Sequence, residues 1–351
     1  MEVTVMNYEL TEKIIQNIKK ACSKKKEIKL TIGYTDGIDQ VIRIFGEKGE
    51  IKGKEKLVYE IGSISKTFTA TLLSKAIWEN KLSLNDTIDK HIGGMINGKY
   101  YPRIRRIATH TAGYSSAYPL GRIQYLKLFK DLIFGGGIET NNPLLMDYDK
   151  MIKLMNESNL KDKDYKWNYS NFGFALLGYV IADKFGGSYQ KVMNRFVNEE
   201  LGLNNTHVGT HYGNELSGYN GKNLPCGNWK WEEGNLMAPA GAITSTAEDL
   251  LAYARLNMNA EKPYFELCHD KHGNGPKEYD MGLGWWLRKN TAISEHGGGT
   301  GCFSSYLAFD KKSKVAVVVL ANYRLGRDDD KNICMEILND IVFMMEGKNL
   351  N

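Results

Sequence analysis

The stretch from Tyr59 to Ala70 constrains the fold most, because it reads as a strand, a tight turn and a buried helix in direct succession. Leu57 to Ile61 is strand-like, Gly62 permits a turn, and apolar residues recur at helical spacing from there on. Ser63 and Lys66 are three residues apart, and helical neighbours at that spacing have Cβ atoms roughly 5–6 Å apart. The lysine amine can therefore reach the serine hydroxyl.

This pair has the residue types that acyl transfer needs. A serine at a helix N-terminus has free backbone N–H groups and the positive end of the helix dipole beside it, which suits an oxyanion. A neighbouring base can take the hydroxyl proton. Ser63 is thus a candidate nucleophile and Lys66 its proton acceptor, and the alternative is an ordinary helix-capping serine.

The same Ser-x-x-Lys spacing recurs at Ser23, Ser158 and Ser188, so the spacing alone is weak evidence. Ser23 lies in a run of lysines, Ser158 lies in a polar stretch, and Ser188 follows two glycines at an apparent helix start. The strand, glycine and apolar helix surround Ser63 alone. We therefore expect Ser63 to be the reactive serine of the set.

Composition is that of an ordinary soluble globular protein. The 351 residues suffice for one large or two medium domains, with 42% hydrophobic and 25% charged residues. The net charge of +5 is spread along the chain, so no nucleic-acid partner is predicted. Five cysteines without paired spacing favour reduced thiols and no disulfide.

Neither a secretory signal nor a membrane span is predicted. The N-terminal residues include early acidic side chains and no continuous apolar segment. The longest apolar run, Val315 to Ala321, is far shorter than the roughly 20 residues of a membrane helix and is typical of a buried strand. The sequence therefore predicts a cytoplasmic location.

The order of elements predicts an α+β fold, in which an antiparallel sheet is flanked by the first and last helices. We expect an α/β domain from residues 1–80 and 241–351, with a mainly helical domain, 81–240, inserted between them. The predicted helices are 8–23, 150–160, 172–199, one that begins with the capping box Ser245 to Glu248, and 331–346. The predicted strands are 28–34, 41–45, 285–287, 303–309 and 314–321.

Several short motifs, in order along the chain, together resemble the penicillin-recognising serine hydrolases of the class C β-lactamase type. They span residues 27 to 345 and comprise Gly62-Ser-Ile-Ser-Lys, Thr109-His-Thr-Ala-Gly, Tyr169-Ser-Asn, Ala238-Pro-Ala-Gly-Ala and Glu295-His-Gly-Gly-Gly-Thr-Gly. This resemblance implies a β-lactamase/transpeptidase-like fold with the active site in the groove between the two domains.

The resemblance also implies roles for individual residues. Ser63 would form an acyl-enzyme, while Lys66 and Tyr169 share the transfer of its proton. A tyrosine near a lysine has its pKa pulled towards neutral pH. Asn171 would hydrogen-bond the substrate and Lys66. Without the resemblance, a loop tyrosine and an Asn helix cap would explain the last two residues.

His296, Gly297 and Gly298 stand where β-lactamases have Lys-Thr-Gly, a motif that this sequence lacks. Histidine is largely neutral at pH 7, so the cation beside the β-lactam carboxylate is missing and efficient penicillin hydrolysis is not expected. Glycines let a strand edge approach the substrate, and we assign the oxyanion hole to the N–H groups of Gly299 and Ser63. Taken alone, the glycines are typical of a flexible turn.

The predicted function is hydrolysis, through an acyl-enzyme, of a small ester or a D-amino-acid-containing peptide. No metal or organic cofactor is expected, and the only predicted partner is a small-molecule or peptide substrate. The alternatives are a β-lactamase, an acyltransferase and a non-catalytic ligand-binding member of the family.

Other motifs receive structural interpretations. His110 is interpreted as a hydrogen-bonding residue rather than a catalyst. Two histidine groups have metal-ligand chemistry but lack a second ligand pair, so no zinc site is predicted: Cys268, His269 and His272, and His207 with His211. The candidate cleft aromatics are Tyr114, Tyr118, Trp229, Trp231 and Trp285.

Overall fold

An antiparallel sheet with helices on both faces organises the protein in a computed structural model, which describes residues 7–53, 56–116, 118, 120, 126, 142–209 and 216–347. The strands of the described residues are β1 (Leu30–Thr35), β2 (Gln40–Gly46), β3 (Gly49–Ile51), β4 (Tyr59–Glu60), β5 (His207–Val208), β6 (Ile243–Ser245), β7 (Gly273–Asn274), β8 (Tyr279–Met281), β9 (Trp286–Arg288), β10 (Ile293–Gly299), β11 (Ser304–Asp310) and β12 (Val315–Ala321). The helices are α1 (Glu12–Cys22), α2 (Ser65–Trp78), α3 (Ile104–Ala108), α4 (Tyr148–Glu157), α5 (Asn171–Lys184), α6 (Tyr189–Arg195), α7 (Ala247–Asn259), α8 (Pro263–His269) and α9 (Asp329–Glu346).

The main sheet of the described residues has nine strands in the order β3-β2-β1-β12-β11-β10-β9-β8-β7. The predicted hairpin between β1 and β2 is present, with Thr35 opposite Gln40. The last two predicted strands pair as β11 and β12. The first and last strands, β1 and β12, are neighbours inside this sheet.

Both faces of β12 are buried, which explains its unbroken apolar sequence. Val317 and Val319 join a core with α1 and α9, whereas Val318 and Leu320 join the core on the opposite face. The terminal helices thus cover one face of the sheet, and the predicted α+β architecture is confirmed.

The helical residues between α2 and β6 pack in the same hydrophobic core as Val318 and Leu320, on the face of the sheet opposite α1 and α9. Phe174 of α5 lies in the same hydrophobic cluster as Val318 of β12. The division into domains 1–80 with 241–351 and 81–240 stays a prediction. None of the described helices is long and apolar enough to span a membrane.

Two predicted helix boundaries are wrong for local reasons. The N-cap of α7 is Thr246, which accepts a hydrogen bond from Asp249 N, rather than Ser245. Ser245 ends β6 and its hydroxyl bonds Thr206 instead. The predicted helix 172–199 is interrupted after α5, because Gly186 adopts a φ of 71° that ends the helix.

The expectation of five reduced cysteines is also wrong. The structure joins Cys226 and Cys302 by a disulfide, while Cys22, Cys268 and Cys334 are free and buried. The bonded residues are 76 positions apart, so their approach depends on tertiary folding that the cysteine spacing does not reveal.

Candidate active site

Ser63 lies in a short 3-10 turn, Gly62–Ile64, which leads directly into α2. Gly62 has a φ of 48°, and a Cβ on it would lie 2.5 Å from Gly299 N. Only glycine fits this close approach of two backbones. The predicted strand, turn and helix around Ser63 are therefore present, and the turn brings Ser63 beside the end of β10.

The buried amine of Lys66 contacts Ser63 directly. Its Nζ atom lies 3.0 Å from Ser63 Oγ and 2.6 Å from the carbonyl oxygen of Ala240. The Lys66 side chain has no solvent exposure, and this burial lowers its pKa well below the ordinary value. A neutral amine at this distance can accept the serine proton.

Tyr169 lies beside the amine, just before α5. Lys66 Nζ is 4.8 Å from the centre of the Tyr169 ring. Burial raises the pKa of Tyr169, and an interaction with Ser63 offsets this only in part. The expected pull towards neutral pH is therefore wrong, because desolvation of the phenolate is the dominant effect. Tyr169 is a neutral phenol that can donate a proton.

Asn171 is the first residue of α5, and the cap of this helix is Ser170, whose side chain accepts from Gly173 N. Asn171 is thus not the helix cap of the alternative interpretation. Within the described part of the chain, the Lys66 amine bonds Ser63 and Ala240 and makes no hydrogen bond to Asn171.

His110 holds the segment that carries Tyr169. The Nδ1 atom of His110 accepts a hydrogen bond from Ser170 N at 3.1 Å, and its ring lies 4.6 Å from the Tyr169 ring. Burial lowers the pKa of His110 well below the ordinary value, with Lys66 adding to the effect. The predicted structural hydrogen-bonding role is confirmed.

The glycine run after His296 is strand rather than a flexible turn. β10 extends to Gly299, opposite Ser304 of β11, whereas its pairing with β9 involves only Ser294 and Glu295. Within the described residues, β10 therefore has one unpaired edge from His296 onward. Such an edge can hydrogen-bond an extended substrate.

Gly298 and Gly299 lie close to the nucleophile. A Cβ on Gly298 would strike Ile61 O and would lie 3.0 Å from Ser63 N. Gly298 is required here by this packing of β10 against the turn that carries Ser63, whereas a Cβ on Gly299 would meet the Arg324 guanidinium.

His296 is buried and neutral. Its Nδ1–H donates to Gly297 O at 2.7 Å, and its ring lies 6.4 Å from the Tyr169 ring. Burial, followed by the nearby Lys66, lowers the pKa of His296 to about 3. No fixed positive charge is therefore present at this position at neutral pH.

Sequence reasoning assigned the wrong tryptophan to the cleft and missed one arginine. Trp285 is fully buried and stacks on Tyr253, whereas Trp286 lies 5.8 Å from the His296 ring. The guanidinium of Arg324 occupies the space beside Gly299. Arg324 belongs to no short motif, so its place depends on the packing of the segment after β12.

Two of the candidate metal ligands, His269 and His272, make hydrogen bonds to other groups. His269 bonds Ser294 and Asn257, and His272 bonds Leu267 O. His211 lies outside the described residues. Within those residues, no three His, Cys, Asp or Glu side chains gather as metal ligands.

Solved structures with the same fold cover nearly the whole chain. A class C β-lactamase superposes with a TM-score of 0.74 at 22% identity, covering 93% of this chain and 96% of that chain. A structure titled β-lactamase/D-alanine carboxypeptidase from Pseudomonas syringae gives 0.72 at 20% identity, covering 93% and 98%. The octameric penicillin-binding protein homologue of Pyrococcus abyssi gives 0.73 at 21% identity, covering 94% and 76%. The β-lactamase/transpeptidase-like fold is thereby confirmed.

The chain is also similar in sequence to a β-lactamase and to the protein flp. A β-lactamase of Providencia stuartii is 27% identical over 270 residues, which are 74% of this chain and 63% of the relative. The protein flp of Staphylococcus aureus strain COL is 25% identical over 291 residues, 78% of this chain and 54% of the relative. The chain thus spans less than two thirds of the length of both relatives. The family model named Beta-lactamase matches residues 40–334, and the chain therefore belongs to the Beta-lactamase family.

Proposed function

We propose that this protein is a serine hydrolase that acts through an acyl-enzyme on Ser63. The observation that carries the proposal is the contact of 3.0 Å between the Lys66 amine and the Ser63 hydroxyl. Serine needs an adjacent base to become a good nucleophile. The lowered pKa of Lys66 makes its free amine available as that base.

In the proposed reaction, Ser63 Oγ attacks the substrate carbonyl carbon while its proton moves to Lys66 Nζ. The backbone N–H groups of Ser63 and Gly299 stabilise the oxyanion. The close approach of Gly62 to Gly299 N supports this assignment. The Tyr169 hydroxyl donates a proton to the leaving group and regains one from Lys66. Water then attacks the acyl carbon and gives a proton to Lys66 Nζ. The bond between that carbon and Ser63 Oγ breaks, and Oγ takes a proton back from Lys66 or Tyr169, which releases the acid and restores the free serine.

Asn171 and the edge of β10 are the proposed substrate-binding groups. Asn171 is half-buried at the start of α5, where its amide can bind the substrate rather than cap the helix. Gly298 and Gly299 let the substrate backbone approach the unpaired edge after His296.

The proposed substrate is a small ester or a D-amino-acid-containing peptide. The neutral state of His296 supports this class over penicillins, because the position lacks a cation for the β-lactam carboxylate. β-Lactam hydrolysis is the second candidate, favoured by the β-lactamase relatives. The mechanism requires no cofactor.

Comparing two serine variants tests the function. Ser63→Ala should abolish turnover of p-nitrophenyl acetate above the buffer rate. Ser188→Ala is the matched control, because Ser188 has the same spacing to a lysine yet only caps α6. Equal turnover by Ser63→Ala and the wild type would contradict the proposal.

A further inference from the structure

Two tryptophans and one histidine continue the active site from Tyr169, as an aromatic wall of Trp167, Trp286 and His296. The centre of the Trp167 ring lies 6.3 Å from that of Tyr169, and Trp167 meets Trp286 edge-on at 6.0 Å. Trp286 lies 5.8 Å from the His296 ring. The aromatic wall is therefore in direct contact with the phenol that we assign to proton transfer.

A depression of about 440 Å³ lies beyond this wall. Trp167 lines it together with Tyr165 and Pro276. A cavity of roughly 150 Å³ is enough to hold benzene, so the depression has room for an aromatic ring with substituents. Because Trp167 borders both Tyr169 and the depression, a ring bound there can be joined to an atom that reacts beside Tyr169.

The aromatic wall also carries buried polar atoms that lack partners. Among the described residues, the indole N–H groups of Trp167 and Trp286 have no hydrogen-bond partner. The same holds for His296 Nε2, which is an acceptor because Nδ1 donates to Gly297 O. Buried polar groups are unfavourable when they stay unpaired. The wall is therefore suited to a ligand whose polar atoms can face the two indoles.

The charges around the depression limit what a bound ring can carry. Asp164 lies in its lining, but ion pairs with Arg105 and Arg106 neutralise this carboxylate. Lys166 and Lys277 also line the depression and are exposed to solvent. The local potential is therefore positive, which disfavours a cationic ring and admits a neutral or anionic one.

We propose that the aromatic wall and the depression, together the aromatic subsite, bind an aromatic ring in the leaving group of the substrate. The leaving group is the part concerned because Tyr169, which contacts Trp167, gives it a proton in the proposed reaction. Tryptophan rings pack favourably on another aromatic ring. The inference rests on the proposed function and names its substrate class, an ester or amide of a neutral or anionic aryl-bearing alcohol or amine.

A matched pair of esters tests this inference. 4-Methylphenyl acetate and 4-benzylphenyl acetate have leaving groups of similar acidity and differ by one phenyl ring. In the wild type, kcat/KM should be about tenfold higher for the benzyl ester, and Trp167→Ala should bring the ratio of the two values close to one. Trp286→Ala should also lower the ratio. Trp167→Phe should keep most of it, because a phenyl ring can still pack on the ligand.

Two controls make the test specific. Trp78→Ala should keep the wild-type ratio, because Trp78 is 55% exposed and packs against Tyr264 instead. 4-Methylphenyl 3-phenylpropanoate carries the extra ring on the acyl side, and Trp167→Ala should leave its kcat/KM unchanged relative to that of 4-methylphenyl acetate. Equal losses for the two acetates in Trp167→Ala would show that Trp167 only supports Tyr169, and would overturn the inference. A loss confined to the acyl-side ring would also overturn it.

A binding experiment separates the two proposals. 4-Benzylphenol and 4-methylphenol are the alcohols that the two acetates release, so their binding requires no turnover. Calorimetry should show that the wild type binds 4-benzylphenol more tightly, and Trp167→Ala should remove the difference. If the difference holds while neither ester is hydrolysed, the hydrolase proposal fails and the aromatic subsite stands. Equal binding of the two phenols would overturn the aromatic subsite, and turnover by the wild type would then leave the proposed function standing.

Discussion

Lys66 Nζ lies 3.0 Å from Ser63 Oγ, within a pocket that excludes water from the amine. Desolvation disfavours the charged ammonium, so burial lowers the pKa of the Lys66 amine. The neutral amine can then act as a base towards Ser63. The reactivity that we propose for Ser63 depends on this combination.

The pH dependence of activity should follow Lys66. Because the pKa of Lys66 is lowered, kcat/KM for p-nitrophenyl acetate should fall as the pH drops through a single ionisation well below 10.5 and should be level above it. Tyr169 stays protonated because its pKa is raised, and His296 stays neutral above its pKa of about 3. Stopped-flow or plate-reader kinetics from pH 5 to 10 measure this profile. A shift of the inflection in the His296→Gln variant would contradict the assignment of the ionisation to Lys66.

Lys66 and Tyr169 should act as one unit. Lys66→Ala and Tyr169→Phe are each expected to lower the acylation rate by several powers of ten, because both groups serve the same proton transfer. The double variant should be little slower than the slower single variant. Single-turnover kinetics measure the three rates, and losses that multiply would indicate independent roles.

Substrate choice should follow the neutral charge of His296. We expect kcat/KM for p-nitrophenyl acetate to exceed that for any penicillin, because the neutral His296 supplies no positive charge for the β-lactam carboxylate. His296→Lys should raise penicillin turnover about ten- to hundredfold, since a charged hydrogen bond contributes roughly 1.5–3 kcal/mol. Both enzymes are compared at neutral pH. Wild-type penicillin turnover about tenfold above that of the ester would instead identify a β-lactamase.

Acid stability should depend on His269, whose nitrogens bond Ser294 and Asn257. Burial lowers its pKa from 6.5 to about 3, so the unfolded chain binds the proton first as the pH falls. His269 therefore destabilises the fold progressively as the pH falls from 6.5 towards 3. Urea unfolding should show that His269→Gln flattens this dependence relative to wild type; parallel pH curves would contradict the assigned pKa.

The local part of the site was predictable from the sequence, since helical spacing alone brings Lys66 to Ser63. The unbroken apolar run from Val315 to Ala321 likewise predicted a buried strand. Tyr169 and His296 could be assigned to the site only from the order of the family motifs, because nothing in the local sequence links them to Ser63.

Other features depended on tertiary packing and escaped prediction. The pKa of Tyr169 is set by burial, which neighbouring residue types do not reveal. The bond between Cys226 and Cys302 joins two loops that meet only in the fold. Arg324 reaches Gly299 because β12 and β10 flank β11, so a segment distant in sequence lies beside the strand end.

Peptide mapping after covalent labelling tests the central claim most directly. The purified wild type and Ser63→Ala would be treated with a fluorophosphonate, digested and analysed by mass spectrometry. The account predicts one adduct in the wild type, on Ser63, and none on the corresponding peptide of the variant. Labelling of a different serine, or equal labelling of both proteins, would contradict the assignment of Ser63 as the nucleophile.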